Sequence, residues 1–496
     1  MTRTVVGVLL VLGLASATAA QTLRENQWPS SRPPRPGRAA EVKFPPYAIR
    51  TLPNGLQVIA VSHHEQPAIS LRLLVRAGAA ADPKGKPGVA NLVASLLDQG
   101  TTTRSATQIA EAIDTIGGAL GTGAGTDLSY VSVVVLKDSF EFGLELLGEI
   151  VRKPSFSPEE IERQREQLGS AMQVSYQDPD YIASAVIDRL IYGFHPYGAP
   201  GNGTPESLAA ITREDLVAFH RVWFAPNNSI LAVVGDVTAE EAFAQVERIL
   251  GSWPRQETPA VSLGETPSPT RRVVVIDRPG AVQTEIRLGN LAIPRKHPDH
   301  VAFDLCVRVL GGEGANRLQR VLRSERGLTY GASADLQGLE HGGAVVAETN
   351  TRSEATGEAL RLAVDEVWRV QRERVNPLEL ADAQAYVTGN FPLTIEVPDD
   401  IARQILNVLF YELDVKELET QRDRVNAVSV DDIQRVAKAY LQPGRLSIVL
   451  VGDARTIVPQ IRAVGFTEFE VVPIEDLDLT AADFRRASAQ TLANPR

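Results

Sequence analysis

An α+β fold in two homologous units is predicted by three features: an internal echo, apolar strands that each follow a capped helix, and one polar join between the copies. The first copy opens at Ile211-Thr-Arg-Glu-Asp-Leu216, passes Trp223-Phe-Ala-Pro226 and ends on Ile230-Leu-Ala-Val-Val-Gly-Asp236. The second opens at Val428-Ser-Val-Asp-Asp-Ile433, passes Tyr440-Leu-Gln-Pro443 and ends on Leu446-Ser-Ile-Val-Leu-Val-Gly-Asp453. In each, Thr212 or Ser429 is the N-cap, with Asp215 or Asp432 at the third helical position as a capping-box variant. Proline then stops the helix. A run of Val, Leu and Ile short enough for a buried strand follows.

Upstream elements echo as well. Asn54-Gly55 is a tight turn leading into an alternating strand, Leu56 to Val61, and Ala68 to Ala77 is another strand. Arg272 to Asp277 and Gln283 to Gly289 play these parts in the second half. The units are therefore placed at 45–255 and 271–470, with 256–270, rich in Pro, Thr, Ser and Glu, as an exposed linker and 471–496 as a tail.

The chain of 496 residues is 44% hydrophobic and 22% charged, an ordinary balance for a globular protein. Its net charge of −11 argues against nucleic acid or an anionic membrane as the main partner. One cysteine, Cys306, can make neither an internal disulfide nor a CxxC site, and its apolar neighbours predict a buried thiol. Arg3, the apolar run Val5 to Ala15 and the small residues Ala17-Thr-Ala19 have the form of a cleavable signal peptide over 1–20. A Pro/Arg-rich lead-in follows over 21–44. These features predict a periplasmic or secreted chain with no membrane span after cleavage.

The segment from Lys86 to Thr101 carries a family resemblance. It resembles the active-site helix of the pitrilysin/insulinase (inverzincin) metallopeptidases, Gly-x-x-His-x-x-Glu-His-x-x-x-x-Gly-Thr. Two histidines at i and i+4 share one helical face and one Zn²⁺, and the Glu beside them activates the bound water. Gly88, Gly100 and Thr101 match, but the ligand positions hold Asn91 and Ser95 and the Glu position holds Ala94. An amide and an alcohol are poor zinc ligands, and a methyl group takes no proton. The family's third ligand lies on a later helix, which Ser157, Pro158 and Glu160 begin here. By resemblance Glu166 falls on the second carboxylate and Gln173 on the ligand, so no metal is expected in this chain.

Among the histidines, the His297-Pro-Asp-His300 pair lacks a companion ligand set, His195-Pro-Tyr-Gly198 resembles a structural loop of the family, and His63 and His64 point to opposite strand faces. A second motif is intact. Leu310-Gly-Gly-Glu-Gly-Ala-Asn-Arg-Leu318 is a glycine-rich loop, followed by Leu322-Arg-Ser-Glu-Arg-Gly-Leu-Thr-Tyr-Gly331. In the family an Arg and a Tyr at this spacing hold the substrate backbone and stabilise the oxyanion. The matching residues are Arg323 and Tyr330, a planar fork and a phenol suited to that task.

The resemblance spans about residues 45–470 and implies two helix-covered, antiparallel-rich sheets in one chain. It implies a non-catalytic subunit that supplies the Arg/Tyr clamp to an HxxEH-bearing homologue, with zinc in that partner and peptide or unfolded polypeptide as substrate. The alternatives are a structural scaffold and a peptide-binding homodimer without proteolysis.

Overall fold

The computed structural model describes residues 43–486, apart from 262, 265, 269 and 315. The predicted signal peptide, the lead-in up to residue 42 and the last ten residues of the predicted tail lie outside the described residues.

The first sheet holds β1 (Tyr47–Thr51), β2 (Gln57–Ser62), β3 (Ala68–Val75), β4 (Ala119–Ala124), β5 (Ser129–Leu136) and β6 (Ser229–Gly235) in the order β1-β2-β6-β3-β5-β4. The second holds β7 (Val273–Asp277), β8 (Gln283–Ala292), β9 (Ala332–Gly338), β10 (Gly343–Arg352), β11 (Ser447–Gly452) and β12 (Glu470–Pro473) in the order β12-β7-β11-β8-β10-β9. Five strands occupy equivalent places in the two sheets. β2 and β6 pair in parallel, as do β7 and β11, and the three pairings beyond them are antiparallel in both sheets. The predicted two-unit α+β architecture is therefore present.

The sixth strand breaks the symmetry and corrects the boundary drawn at residue 470. β1 forms an antiparallel pair with β2, whereas β12 pairs in parallel with β7 from the opposite end of the chain. Leu477, Leu479 and Phe484 beyond it are buried in the core. The start of the predicted tail therefore completes the second sheet. Its Glu470-Phe484 stretch is rich in acidic residues, which masked the apolar positions.

Each sheet buries one face beneath helices of its own half. The other face is covered by a helix from the opposite half. Helix Pro398–Phe410 lays Ile401, Ile405, Leu406 and Phe410 on Ile59, Val61, Ile230 and Val234 of the first sheet. Helix Pro179–Tyr192 lays Ile182, Val186, Ile187 and Ile191 on Val274, Ile276, Val449 and Val451 of the second. Strands β2, β6, β7 and β11 are apolar on both faces because both are covered, as in buried sheets generally.

The exchange is fixed by a matched pair of ion contacts. Arg72 of β3 meets Asp399 at the start of one exchanged helix, at 3.3 Å. Arg287 of β8 meets Asp180 at the start of the other. Arg72 stands opposite Ala232 and Ser132, and Arg287 opposite Val449 and Glu348, so the two arginines occupy equivalent sites. Each aspartate directly follows the first-turn proline of its helix, where a negative charge is favoured. Arg76 closes the far end of the first contact by donating to the carbonyls of Phe410, at 2.6 Å, and Leu409, at 3.0 Å.

Because neither sheet is complete without the other half's helix, the two units unfold together. Ile405→Ala, at a fully buried site, is expected to cost about 2–5 kcal/mol. It should lower the midpoint of a single thermal transition. Two separated transitions in calorimetry, with only one of them shifted, would show that the halves fold independently.

Candidate functional site: a degenerate metal helix and an acidic cleft

Helix Val89–Leu96 is held as firmly as a ligand-bearing helix would need to be. Gly88 has φ of +101°, and a Cβ there would lie 2.9 Å from the carbonyl oxygen of Asn202. The Asp82 carboxylate accepts from the backbone N–H of Gly88 at 2.6 Å and of Ala90 at 2.7 Å, which satisfies orphan donors of the first turn. Burial pushes this carboxyl up to about 7, against the pull of those N–H donors. Past the helix, the Thr101 hydroxyl donates to Glu149 at 2.5 Å, and Glu149 also pairs with Arg104.

The metal positions on this helix are put to other uses. The Asn91 amide donates to the side-chain oxygen of Asn202 at 2.8 Å. The Ser95 hydroxyl donates to the carbonyl of Leu92 at 3.0 Å, within the helix. Ala94 is buried and offers only a methyl group. Among the described residues no group of three or more His, Cys, Asp or Glu side chains is placed to hold a metal ion. These residues do not fit a zinc ion.

The assignment of Glu166 and Gln173 needs correction. Helix Pro158–Ser175 turns Ile161, Gln164, Leu168 and Met172 onto one packed face, consistent with about 100° per residue. Glu166 and Gln173 are exposed on the side away from that face. Two residues earlier and with the same spacing, Gln164 lies on the packed face and Ala171, itself exposed, between that face and Arg163. The Arg163 guanidinium reaches Gln99, just past the degenerate helix, so this is the side turned toward it. The position facing the lost site is thus Ala171, whose methyl group is no more a ligand than the Gln173 amide. Spacing alone could not fix the phase of a helix whose polar residues run almost unbroken.

The predicted clamp residues are separated by their surroundings. Arg323 sits on a π-helical turn, Gln319–Glu325, and is exposed. Its neighbours Arg320 and Arg326 make ion pairs with Glu379 and Glu358, but the Arg323 guanidinium makes no ion pair or hydrogen bond among the described residues. Tyr330 stands just before β9 and is 90% exposed, so it does no packing work as a strand aromatic. It borders a cleft of about 540 Å³ that Arg323 does not line. The volume lies within the usual range for ligand sites, about 300–1,000 Å³.

The glycine-rich loop forms one wall of this cleft. A Cβ at Gly311 would lie 2.3 Å from the backbone nitrogen of Ala334, so the loop can press on β9 only as glycine. Sequence reading missed the floor. There Arg287, 3% exposed, is flanked by Glu285 at 3.5 Å and Glu348 at 3.4 Å besides Asp180. The signal was present as charged residues within sheet strands, Glu285 and Arg287 at alternate positions of β8 and Glu348 on β10.

The remaining marked residues are structural. The His195 ring accepts from the backbone N–H of Tyr197 at 3.2 Å, and the Tyr197 hydroxyl donates to Asp127 at 2.7 Å. His297 accepts from the N–H of Asp299 at 3.1 Å, and burial beside Arg295 pushes His300 down to about 3. His64 bonds to Asp236 at 2.6 Å. The Cys306 thiol is fully buried and is pushed up to about 12.

Comparison with known proteins agrees with this geometry. A family model described as insulinase (peptidase family M16) matches residues 57–202, and one described as the peptidase M16 inactive domain matches 210–387. The chain belongs to the pitrilysin/insulinase family. With its zinc motif replaced, it is a peptidase-family member of inactive type. A curated relative, an uncharacterized zinc protease of Mycobacterium tuberculosis, is 25% identical over 84% of this chain and 95% of its own length. The solved peptidase M16 inactive domain from Pseudomonas fluorescens superposes with a TM-score of 0.78 at 28% identity, covering 82% of this chain and 98% of that one. A protease from Helicobacter pylori, 21% identical, shares the fold with a TM-score of 0.78 over 82% of this chain and 100% of its own.

The helix phase is testable by rebuilding the site. The unmodified chain should hold no stoichiometric zinc by elemental analysis. Asn91→His, Ala94→Glu and Ser95→His together with Ala171→Glu should bind Zn²⁺ at least about tenfold, or 1.4 kcal/mol, more tightly than the same triple change with Gln173→Glu. Competition with a fluorescent chelator measures this. Equal or reversed affinities would place Gln173 at the ligand position after all.

Proposed function

We propose that this chain is the non-catalytic, substrate-binding subunit of an exported zinc metallopeptidase complex. An HxxEH-bearing homologous chain supplies the zinc, and this chain supplies Arg323 and Tyr330 to the peptide held there. The carrying observation is the contrast between the two motifs. Asn91, Ala94 and Ser95 are absorbed into local packing, while Tyr330 and Arg323 are left exposed and unengaged. The Tyr330 phenol stands beside the cleft without packing on the fold, so it is free to meet a partner or ligand.

In this reading the chemistry belongs to the partner's metal. This chain's part is to position the peptide and to direct a phenol O–H and a guanidinium fork toward a carbonyl oxygen as it gains negative charge. The signal-peptide form of the N-terminus supports a periplasmic or secreted site for the complex. The relatives described as zinc proteases support a peptidase context. No helix among the described residues is long and apolar enough to cross a membrane.

Co-expression with an exported HxxEH homologue should yield a stable complex with peptidase activity that neither chain has alone. Tyr330→Phe keeps the ring and removes the donor, and should lower turnover of the complex by about 10²–10³. Arg323→Ala should do the same, and Arg323→Lys should rescue it only in part, because a point charge does not reproduce the planar fork. Melting temperature and complex formation should be unchanged in all three. Full turnover in both the Tyr330→Phe and Arg323→Ala complexes would leave this chain a scaffold.

A further inference from the structure

The loop that carries Tyr330 is longer than its counterpart in the first half. Ala332 of β9 stands opposite Thr349, and Leu120 of β4 opposite Val133. Thr349 and Val133 in turn stand opposite Ile286 and Leu71, each one residue before its sheet's arginine, so the two places are equivalent. In the first half the Gly118 N–H donates to the Ile113 carbonyl at 3.0 Å, and only Ala119 separates Gly118 from Leu120. In the second the Leu328 N–H donates to the Leu322 carbonyl at 2.8 Å, and Thr329, Tyr330 and Gly331 separate Leu328 from Ala332. Tyr330 therefore sits on a length of chain that the sheet itself does not require.

The strand beside that loop differs at the same place. β5 runs Val133-Val134-Val135 where β10 runs Thr349-Asn350-Thr351. Thr349 and Thr351 are buried, as Val133 and Val135 are. Threonine and valine share a shape, but a buried hydroxyl costs stability unless it is bonded. Both hydroxyls are bonded, and to the Tyr330 loop. Thr349 Oγ1 donates to the carbonyl of Gly331 at 3.0 Å, with the Asn350 carbonyl farther off at 3.4 Å. Thr351 Oγ1 donates to the carbonyl of Leu328 at 2.8 Å. On the far side of Gly331, the Ala332 N–H donates to Gln319 Oε1 at 3.1 Å. The backbone is thus held before and after Tyr330, while the phenol itself is exposed.

We propose that Thr349 and Thr351 are positioning residues for Tyr330. From within the sheet their hydroxyls hold the loop so that the phenol is aimed before a peptide arrives. This inference rests on the substrate-binding reading above and adds the means by which the clamp is preset. A phenol on a loose loop would have to be ordered in each turnover, and that ordering offsets what the donor contributes. A loop fixed in advance carries no such cost at the reacting step. The effect falls on kcat and not on KM, because the phenol serves the carbonyl oxygen most as it gains negative charge.

The test is steady-state kinetics of the complex with an HxxEH-bearing homologue, using Thr349→Val with Thr351→Val, the residues the first half already carries. The valine pair should lower kcat by about tenfold with KM unchanged. Thr349→Ser with Thr351→Ser keeps both hydroxyls and should hold kcat within about twofold of the unmodified complex. In a Tyr330→Phe background the valine pair should cost nothing further, because the donor it positions is gone. Full kcat in the valine variant overturns the proposal, and so does a fresh loss in the Tyr330→Phe background, which would mark a structural role independent of the phenol. Amide hydrogen exchange of this chain alone reads the latch without catalysis. Residues 328–332 should exchange at least about tenfold faster in the valine variant while the melting temperature holds. Unchanged exchange there overturns the latch and leaves the substrate-binding reading standing. Faster exchange together with full turnover in Tyr330→Phe overturns the reading on which the proposal rests.

Discussion

The reciprocal exchange of helices is the constraint on which the rest of the molecule depends. Strands β2, β6, β7 and β11 are apolar on both faces, so each sheet needs a helical layer on both. Helices Pro179–Tyr192 and Pro398–Phe410 supply the missing layers, each burying its apolar face on the opposite sheet. At about 1.5–3 kcal/mol for each large apolar side chain buried, four or more such side chains on each helix outweigh the cost of fixing the halves together. The Arg72–Asp399 and Arg287–Asp180 contacts add little net energy of their own, as expected of partly buried ion pairs. Their contribution is register. They fix where along the sheet each helix begins.

That rigidity explains how a metal helix persists without its metal. In an active site of this design, zinc would tie the Val89–Leu96 helix to its neighbours. Here Asp82, the Asn91–Asn202 bond and the Thr101–Glu149–Arg104 cluster do so. Gly88 is kept because the backbone at Asn202 leaves no room for a Cβ, a packing demand independent of chemistry. The helix therefore survives as part of the first core while the residues that faced the metal drift to neutral roles.

How much of this was legible in the sequence depended on the kind of signal. Strands β2, β3, β6, β7, β8 and β11 were readable from apolar runs bounded by turns and caps, and the capping boxes at Thr212 and Ser429 form as their spacing predicts. The exchanged helices were not readable, because an amphipathic pattern shows that a face will be buried but not which sheet will bury it. The short Pro-Asp openings at Pro179-Asp180 and Pro398-Asp399 were the only local hint. The lost metal ligands on the Val89–Leu96 helix were legible because motif and helix coincide. The third position was not, since Glu166 and Gln173 could be told from Gln164 and Ala171 only by the face they turn to the core.

The same comparison separates architecture from use. Where two halves descend through one fold, a residue shared between equivalent sites serves the fold, and a residue present in one half alone is free to serve something else. Arg72 and Arg287 belong to the first kind, as do the aspartates that meet them. Ser70, Ser132 and Gly123 answer to Glu285, Glu348 and Asp335, and this difference alters charge without altering the helix contact. Crowding carboxylates around one buried guanidinium works against stability, because each added charge raises the cost of ionising the others.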